Sequence, residues 1–591
     1  MIKTMVHESF YTSGASVFET AGVAVGWTTH AGTFSDCLPI WNERHDVCLI
    51  FTGEDFADAP VLANLRAKGH EFAADNASYL VHLYEEHGAA FLEKLNGWFS
   101  GLLVDLRERK AILFNDRYGA SRIYFHENED GFYFASEAKA LLRVLPKTRE
   151  LDLKSLGEFF SCGCVLQNRS FFTGVYLLPG GAEWVFSPGE PVRKSAYFKK
   201  ELWEDQPALS SADYYEKLDA TWQRILPRYF RGQEAKGLSL TGGVDSRLIL
   251  AYAKSAPGTL PCYTFAGSYR DCADVTISRE IAALCEQPYQ TIPLAEDFWK
   301  QFPAMAEKTV SVTDGTLDVS GSVDVYANQV ARKIAPVRIT GLNGGEILRS
   351  IIMFKPWAPT PELLEAKFAQ HVADASTTYA REKQQHRLSF IAFKQSAWHL
   401  YSRLQSERSQ ITIRSPYFDN DLVALAFQAS PEMQTYDVPF RMIAGAKPVL
   451  KQIGTDRASR LDAIPGLTQL RHQFQEFTFK AEYAYDYGMP QWLAKADHVF
   501  APLHFEKLFL GRHKFHHFRV WYRDRFGDYL KQVLLDARAR NRGYLNGKFV
   551  EKMVNGHVKG NANYTTEIHR VLTMELLQRQ MIDGAASPVL R

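Results

Sequence analysis

The chain is poor in cysteine. Seven occur in 591 residues, an odd and scattered set that gives no disulfide framework and argues against a small secreted scaffold. Only Cys162 and Cys164 stand close together, and a single C-x-C without a second pair or a nearby histidine is a weak metal motif. Reduced thiols are therefore expected. An excess of charge of one sign is also missing. Lys+Arg number 68 and Asp+Glu 67, a formal net charge of +1, whereas a dedicated nucleic-acid binder carries a basic excess. No charge-free apolar run is long enough to span a bilayer, and Met1 to Gly14 has no signal-peptide core. The expectation is a soluble, cytoplasmic protein that engages neither nucleic acid nor membrane. Internal repeats, low-complexity tracts and the G-x-x-x-x-G-K-[ST] of a Walker loop are absent too.

What is present exceeds one hydrophobic core, so two or three domains are expected. The first part reads as β-rich. Val47–Phe51, Gly101–Leu106, Ala111–Phe114 and Phe132–Ala135 are short apolar runs broken by Gly, Asp and Asn. One helix, Ser78–His87, lies among them, and the composition suggests stacked antiparallel sheets. Lys199–Ser211 is polar and contains proline, which predicts a linker. Ser210 and Asp213 resemble a capping box that opens a helix running through Tyr214 to Ile225. Strands and helices then alternate: Gly237–Leu240, Ser246–Lys254, Leu260–Ala266, Val275–Leu284, Gln290–Leu294 and Val337–Thr340. That alternation predicts a parallel, doubly wound α/β sheet. Beyond about Pro361 the pattern is mostly amphipathic helix, as in Leu422–Gln428 and His569–Met581.

The stretch richest in chemistry is Leu238-Ser-Leu-Thr-Gly-Gly-Val-Asp-Ser-Arg247, placed between a strand and a helix where α/β folds bind nucleotides. Gly242 and Gly243 let the backbone approach phosphate oxygens and aim N–H groups at them. Thr241 and Ser246 add hydroxyl donors, and the helix adds its positive end. Asp245 would repel a phosphate directly, so its expected role is as a Mg²⁺ ligand. Because this is not a Walker loop, the leaving group it grips is pyrophosphate and chemistry falls on the α-phosphorus of ATP.

Thr241-Gly-Gly-Val-Asp-Ser246 resembles the S-G-G-x-D-S pyrophosphate loop of the asparagine synthetase family, with Thr241 in place of Ser. Other runs follow in the family's order. Thr52-Gly53-Glu54 resembles N-G-E; Leu95-Asn-Gly-Trp-Phe99, L-x-G-x-F; Asn115-Asp-Arg-Tyr-Gly119, R-D-R-x-G; Phe134-Ala-Ser-Glu-Ala-Lys139, F-A-S-E-x-K; and Arg414-Ser-Pro-Tyr-Phe-Asp419, R-x-P-F-L-D. The resemblance implies an Ntn-hydrolase-like α+β glutamine amidotransferase domain over residues 1–198, a linker over 199–211 and an ATP-pyrophosphatase domain with a helical C-terminal part over 212–591. It further implies an ATP- and Mg²⁺-dependent ligase that adenylates a carboxylate and passes it to ammonia, glutamine-derived or free, or another amine. Leu240, Phe265, Ala266 and Gly341 would flank adenine and ribose, and Gly53 and Glu54 would mark the glutamine site. A homodimer is compatible with the family.

Three departures qualify this. The family's glutaminase uses an N-terminal cysteine, but position 2 is Ile2 and no cysteine precedes Cys37; either the glutamine site is degenerate, which is the expectation for the chain as it stands, or the true start lies upstream of Met1. Thr340-Gly-Leu-Asn-Gly-Gly-Glu346 resembles S-G-x-G-x-D-E, with Gly345 at the second Mg²⁺ aspartate and Leu342 at a position that is often acidic. Glu346 is the candidate to replace one of these roles, beside the plainer reading of a helix-start glutamate. Third, Arg460-Leu-Asp-Ala-Ile-Pro-Gly466 lacks the lysine of an R-x-K-x-G-like stretch, and Lys447 and Lys451 read as solvated surface residues. His513, His516 and His517 read as a solvated helix face rather than a zinc site. The lost cysteine also fits relatives that close β-lactams or peptide macrolactams on a peptide-like substrate. A non-catalytic nucleotide-binding member is the remaining alternative, and tRNA thiolation is disfavoured by the neutral charge.

Overall fold

The computed structural model describes residues 1–455, 467–500 and 505–584. The expected lysine-poor stretch Arg460–Gly466 lies outside them.

The first part is built on a six-stranded antiparallel sheet in the order Arg193–Ala196, Ala182–Phe186, Lys110–Asn115, Phe99–Asp105, Val47–Gly53, Ile40–Trp41. The unbroken apolar run in the Val47 strand has a simple cause. Side chains alternate across a strand, and here both faces are covered. Val47, Leu49 and Phe51 face the helix Tyr79–His87, while Cys48 and Ile50 face a second layer holding Phe18, Val25 and Trp27. That second layer is the hairpin Tyr11–Phe18/Val23–His30 and the small antiparallel sheet of Tyr124–Asn128, Gly131–Ala135 and Tyr176–Leu177. The stacked-sheet expectation holds.

The polar stretch after residue 198 is not a bare linker. It contains the helical turn Glu201–Glu204, and Trp203 from that turn is buried against Phe198, Phe393 and Phe427. One aromatic anchor outweighs the polar composition that suggested a free strap. The capping serine is as expected: Ser210 accepts the Asp213 N–H at the start of the helix Ser211–Ile225.

The second part holds five parallel strands in the order Tyr289–Pro293, Cys262–Ala266, Lys236–Ser239, Val337–Thr340, Thr412–Arg414. The chain winds outward to one side from Lys236–Ser239 and then to the other, so strand order reverses between Lys236–Ser239 and Val337–Thr340. The crevice at the carboxyl ends of that pair is where open α/β sheets bind ligands. The rest is helical apart from Thr412–Arg414, and among the described residues no helix is long and apolar enough to cross a membrane.

The histidine run differs from expectation. His516 and His517 lie in the irregular segment before the helix Phe518–Asp524, and His517 is buried 2.7 Å from Glu482. His513 meets the Thr478 hydroxyl at 2.9 Å. His513 and His517 hold this segment against Leu467–Tyr483, while His516 is half-buried beside Phe515 and Phe518; their neighbours in sequence could not reveal Glu482. Lys451 is exposed as expected, whereas Lys447 is half-buried and reaches the Cys285 thiol.

The two parts meet along a buried polar seam. Arg414 Nε donates to both Glu54 oxygens at 2.9 and 3.0 Å. Five residues on, Asp419 accepts from Asn96 at 2.8 Å and Arg228 at 3.1 Å, and Asn420 donates its N–H to Asn96 and its amide to Leu95 O. Gly97 and Gly53 allow the approach: a Cβ at Gly97, where φ is +145°, would lie 2.3 Å from Glu54 O, and one at Gly53 2.1 Å from Trp98 O. Removing one partner of a buried ion pair strands the other charge, at a cost of about 3–5 kcal/mol. Arg414→Met is therefore expected to lower unfolding stability by that order, and Arg414→Met/Glu54→Gln to recover much of it. A double-mutant cycle on denaturant unfolding reads the coupling; additive losses would show that the pair is not what joins the seam.

Candidate active site

The loop after the strand Lys236–Ser239 turns at Thr241–Gly243 into the helix Val244–Tyr252. Its N–H donors already point at oxygen. Gly242 N–H donates to the Asp274 carboxylate at 2.8 Å, Thr241 N–H to Ser246 Oγ at 3.0 Å, and Gly243 N–H to Thr241 Oγ1 at 3.4 Å. A loop of this kind at a helix N-terminus is an anion cradle, and here an anion of the protein itself already occupies part of it.

The facing loop, after Val337–Thr340, comes very close. A Cβ at Gly341 would lie 2.5 Å from Ser246 N, and one at Gly344 2.5 Å from Asp245 Cγ. The helix Gly344–Arg349 that follows is only six residues long, yet it places Glu346 and Arg349 three apart on one face, beside Asp245. Arg349 grips Asp245 as a fork on a carboxylate, Nη1–Oδ1 and Nη2–Oδ2 both at 2.9 Å. Its guanidinium carbon sits 4.5 Å from the Tyr436 ring centre, and Tyr417 donates to Asp245 O at 2.8 Å. Asn343, buried in the same loop with φ +71°, has an Nδ2 without a partner. Arg349 and Asp274 were not singled out from the sequence. The spacing Glu346-x-x-Arg349 on a short helix was the available signal for the first.

Burial lifts the Glu346 carboxyl to about 7, with Asp245 adding to the rise while Arg349 and Arg403 oppose it. Asp245 and Glu346 are thus brought together, with Arg349 paired to Asp245. Mg²⁺ does not fit these carboxylates as they stand. Both Asp245 oxygens are taken by Arg349, and a carboxyl that is half protonated near neutrality is a poor ligand for a hard cation.

The remaining predicted residues divide. Thr241, Gly242, Gly243, Ser246 and Gly341 line the crevice between the two loops. Leu240 is fully buried and its backbone is spent on sheet bonds to Tyr263 and on Thr264. Phe265 and Ala266 lie at the next strand end, where Phe265 packs edge-on against Phe515 at 5.8 Å. Gly53 and Glu54 line a separate cavity of about 180 Å³ between the two parts. Its walls include His30, Ser35, Ser100, Arg408 and Ser409, and among the described residues no cysteine lines it.

Residues 25–198 match the family model described as a glutamine amidotransferase domain. Glutamine-hydrolyzing asparagine synthetase 1 of Bacillus subtilis is 25% identical over 346 residues, 57% of this chain and 53% of that protein. A probable glutamine-hydrolyzing asparagine synthetase of Schizosaccharomyces pombe is 25% identical over 225 residues, 38% of this chain and 35% of that protein. Over these spans the chain is similar to glutamine-hydrolyzing asparagine synthetases. It spans about half the length of the first of these relatives. The family match places a glutamine amidotransferase domain where the stacked sheets lie, and the parallel sheet follows it. Among solved structures, the glutamine phosphoribosylpyrophosphate amidotransferase from B. subtilis overlays 46% of this chain and 77% of its own at 12% identity, with a TM-score of 0.23.

Glu346 gives the site a pH signature. A carboxyl whose folded value is raised stabilises the fold fully below its unfolded value and loses that contribution as pH climbs to the folded one. Wild type is therefore expected to weaken relative to Glu346→Gln by on the order of 2–3 kcal/mol between about pH 4.5 and 7, with little further change above. Unfolding curves across that range test it; a constant difference would place Glu346 in ordinary solvent.

Proposed function

We propose that the chain is an ATP-dependent, amide-forming ligase that adenylates a carboxylate, releases pyrophosphate and then joins the acyl group to an amine. The supporting observation is the paired loops at the strand-order reversal, with the anion cradle Thr241–Ser246 on one side and Glu346 on the other. ATP fits there: backbone donors and a helix N-terminus meet the pyrophosphate, and Gly341 leaves no side chain in the way. Arg349 sits where negative charge gathers on the leaving group, and a fixed guanidinium there stabilises it. In the second step a C–N bond forms and the acyl–AMP C–O bond breaks. The amine's surplus proton needs an acceptor poised near neutral pH. Glu346 is placed and tuned for that role.

Aspartate going to asparagine is the default, since the relatives are named glutamine-hydrolyzing asparagine synthetases. One observation favours a second reading. Among the described residues, the cavity at Gly53 and Glu54 is lined by hydroxyls and a histidine but by no thiol, and Glu54 is committed to Arg414. Free ammonia or an amine within the substrate itself is then the nucleophile, and the reaction becomes a lactam closure when the amine is internal.

The steps separate experimentally. With the true carboxylate, ATP–pyrophosphate exchange is expected in wild type and is lost in Asp245→Ala. Glu346→Gln is expected to keep exchange but slow amide formation by roughly 100-fold and flatten its pH profile near 7. Aspartate with ammonia giving no asparagine, while a panel of amino-carboxylates supports exchange, selects the cyclase reading. Exchange with no carboxylate tested would remove both.

A further inference from the structure

Far from the crevice, four side chains converge on the outer helix of the first part. His82 and Glu85 lie three apart on the helix Tyr79–His87, Glu43 follows the strand Ile40–Trp41, and His70 lies between the helices Ala59–Ala67 and Tyr79–His87. One ligand atom from each falls within 4.8 Å of all the others. The measured separations are His82 Nδ1–Glu85 2.9 Å, His82 Nδ1–Glu43 3.7 Å, His70 Nδ1–Glu43 3.9 Å and His70 Nδ1–Glu85 3.9 Å. Ligands at 2.0–2.1 Å around a tetrahedral zinc ion sit about 3.3 Å apart, so three of these separations must shorten slightly and the His82–Glu85 one must lengthen slightly.

The surroundings orient these groups as ligands. His70 Nε2 meets Glu86 Oε1 at 2.9 Å; as the donor there it leaves Nδ1 with its lone pair turned to the cluster, the carboxylate–histidine arrangement of metal sites. Asn42 donates to Glu85 Oε1 at 2.8 Å, which leaves Oε2 facing inward. His70 Nδ1 itself is too far from either carboxylate to share a hydrogen bond. The site opens to solvent at Glu43, whose side chain is 53% exposed, and closes at His82, which is 4% exposed, so an ion has a way in.

We infer that Glu43, His70, His82 and Glu85 form a tetrahedral site for a divalent transition metal of the zinc class, pinning the strand-end turn and the inter-helix loop to one helix. In the free protein His82 Nδ1–H donates to Glu85; on binding, Nδ1 gives that proton to solvent and bonds the metal while Nε2 takes one up, so the neutral imidazole changes tautomer with no net loss of a proton.

The test uses the full chain, stripped with chelator and titrated with Co²⁺ in excess Mg²⁺, which occupies oxygen-only sites. Expected are a single saturable equivalent, the intense visible d–d bands of tetrahedral Co²⁺ and displacement by Zn²⁺. His70→Ala and the exposed Glu43→Gln should each weaken binding at least tenfold, and Glu86→Gln by roughly 10–100-fold, with the metal-free melting curves unchanged. No saturable binding, a pale octahedral spectrum, or variants that bind like wild type would overturn the assignment and leave an ion-pair network.

Discussion

Arg414 and Glu54 are the constraint from which much of the arrangement follows. A guanidinium and a carboxylate are here withdrawn from water together, and that withdrawal is tolerable only if each finds the other with good geometry. Arg414 closes the last strand of the parallel sheet, and Glu54 ends a strand of the antiparallel one. Their pairing therefore fixes two sheets at once. Asp419 with Asn96 and Arg228 repeats the device a few residues on, and the Asp419 carboxyl is pushed up by burial although Arg228 holds it down. Each half of the seam is incomplete alone.

The same logic, with a different outcome, governs the crevice. Asp245 is only partly buried and is neutralised by Arg349, while Glu346, a neighbour with less access to water, keeps its proton longer. One cation pairs with the first carboxyl and burial raises the second, so two neighbouring acids sit in different surroundings, the arrangement by which sites divide roles between acids and bases. The tight passage at Gly341 and Gly344 makes the coupling possible, since any side chain there would push the second loop away from the first.

Much of this was legible in the sequence. Strand and helix alternation gave the parallel sheet, and the runs around Gly53, Asn96, Asp116 and Asp419 stood in the right order. Their physical role was not legible, because it is a matter of which runs touch. Asp116 accepts three N–H groups from Tyr118, Ala120 and Ser121 and so shapes a turn, whereas Glu54 and Asp419 reach across more than 300 residues to their partners. The same limit applies to Arg349 and to His517, whose partners lie far away in the chain. Trp203 misled for a related reason. A single buried ring within a polar stretch does not alter its average composition, yet it decides whether the stretch is free.

The position of the strand Thr412–Arg414 at the margin of its sheet has one more implication. A sheet margin offers unpaired backbone groups to any passing strand, and proteins cover such margins to avoid polymerising. Here Ile413 and Arg414 are nearly inaccessible, at 5% and 4% exposure, and Glu54 from the first part pairs with Arg414. The amidotransferase-like half thus acts as a lid on the margin of the parallel sheet. That service requires only its shape and its one carboxylate, and it persists whether or not the half splits glutamine.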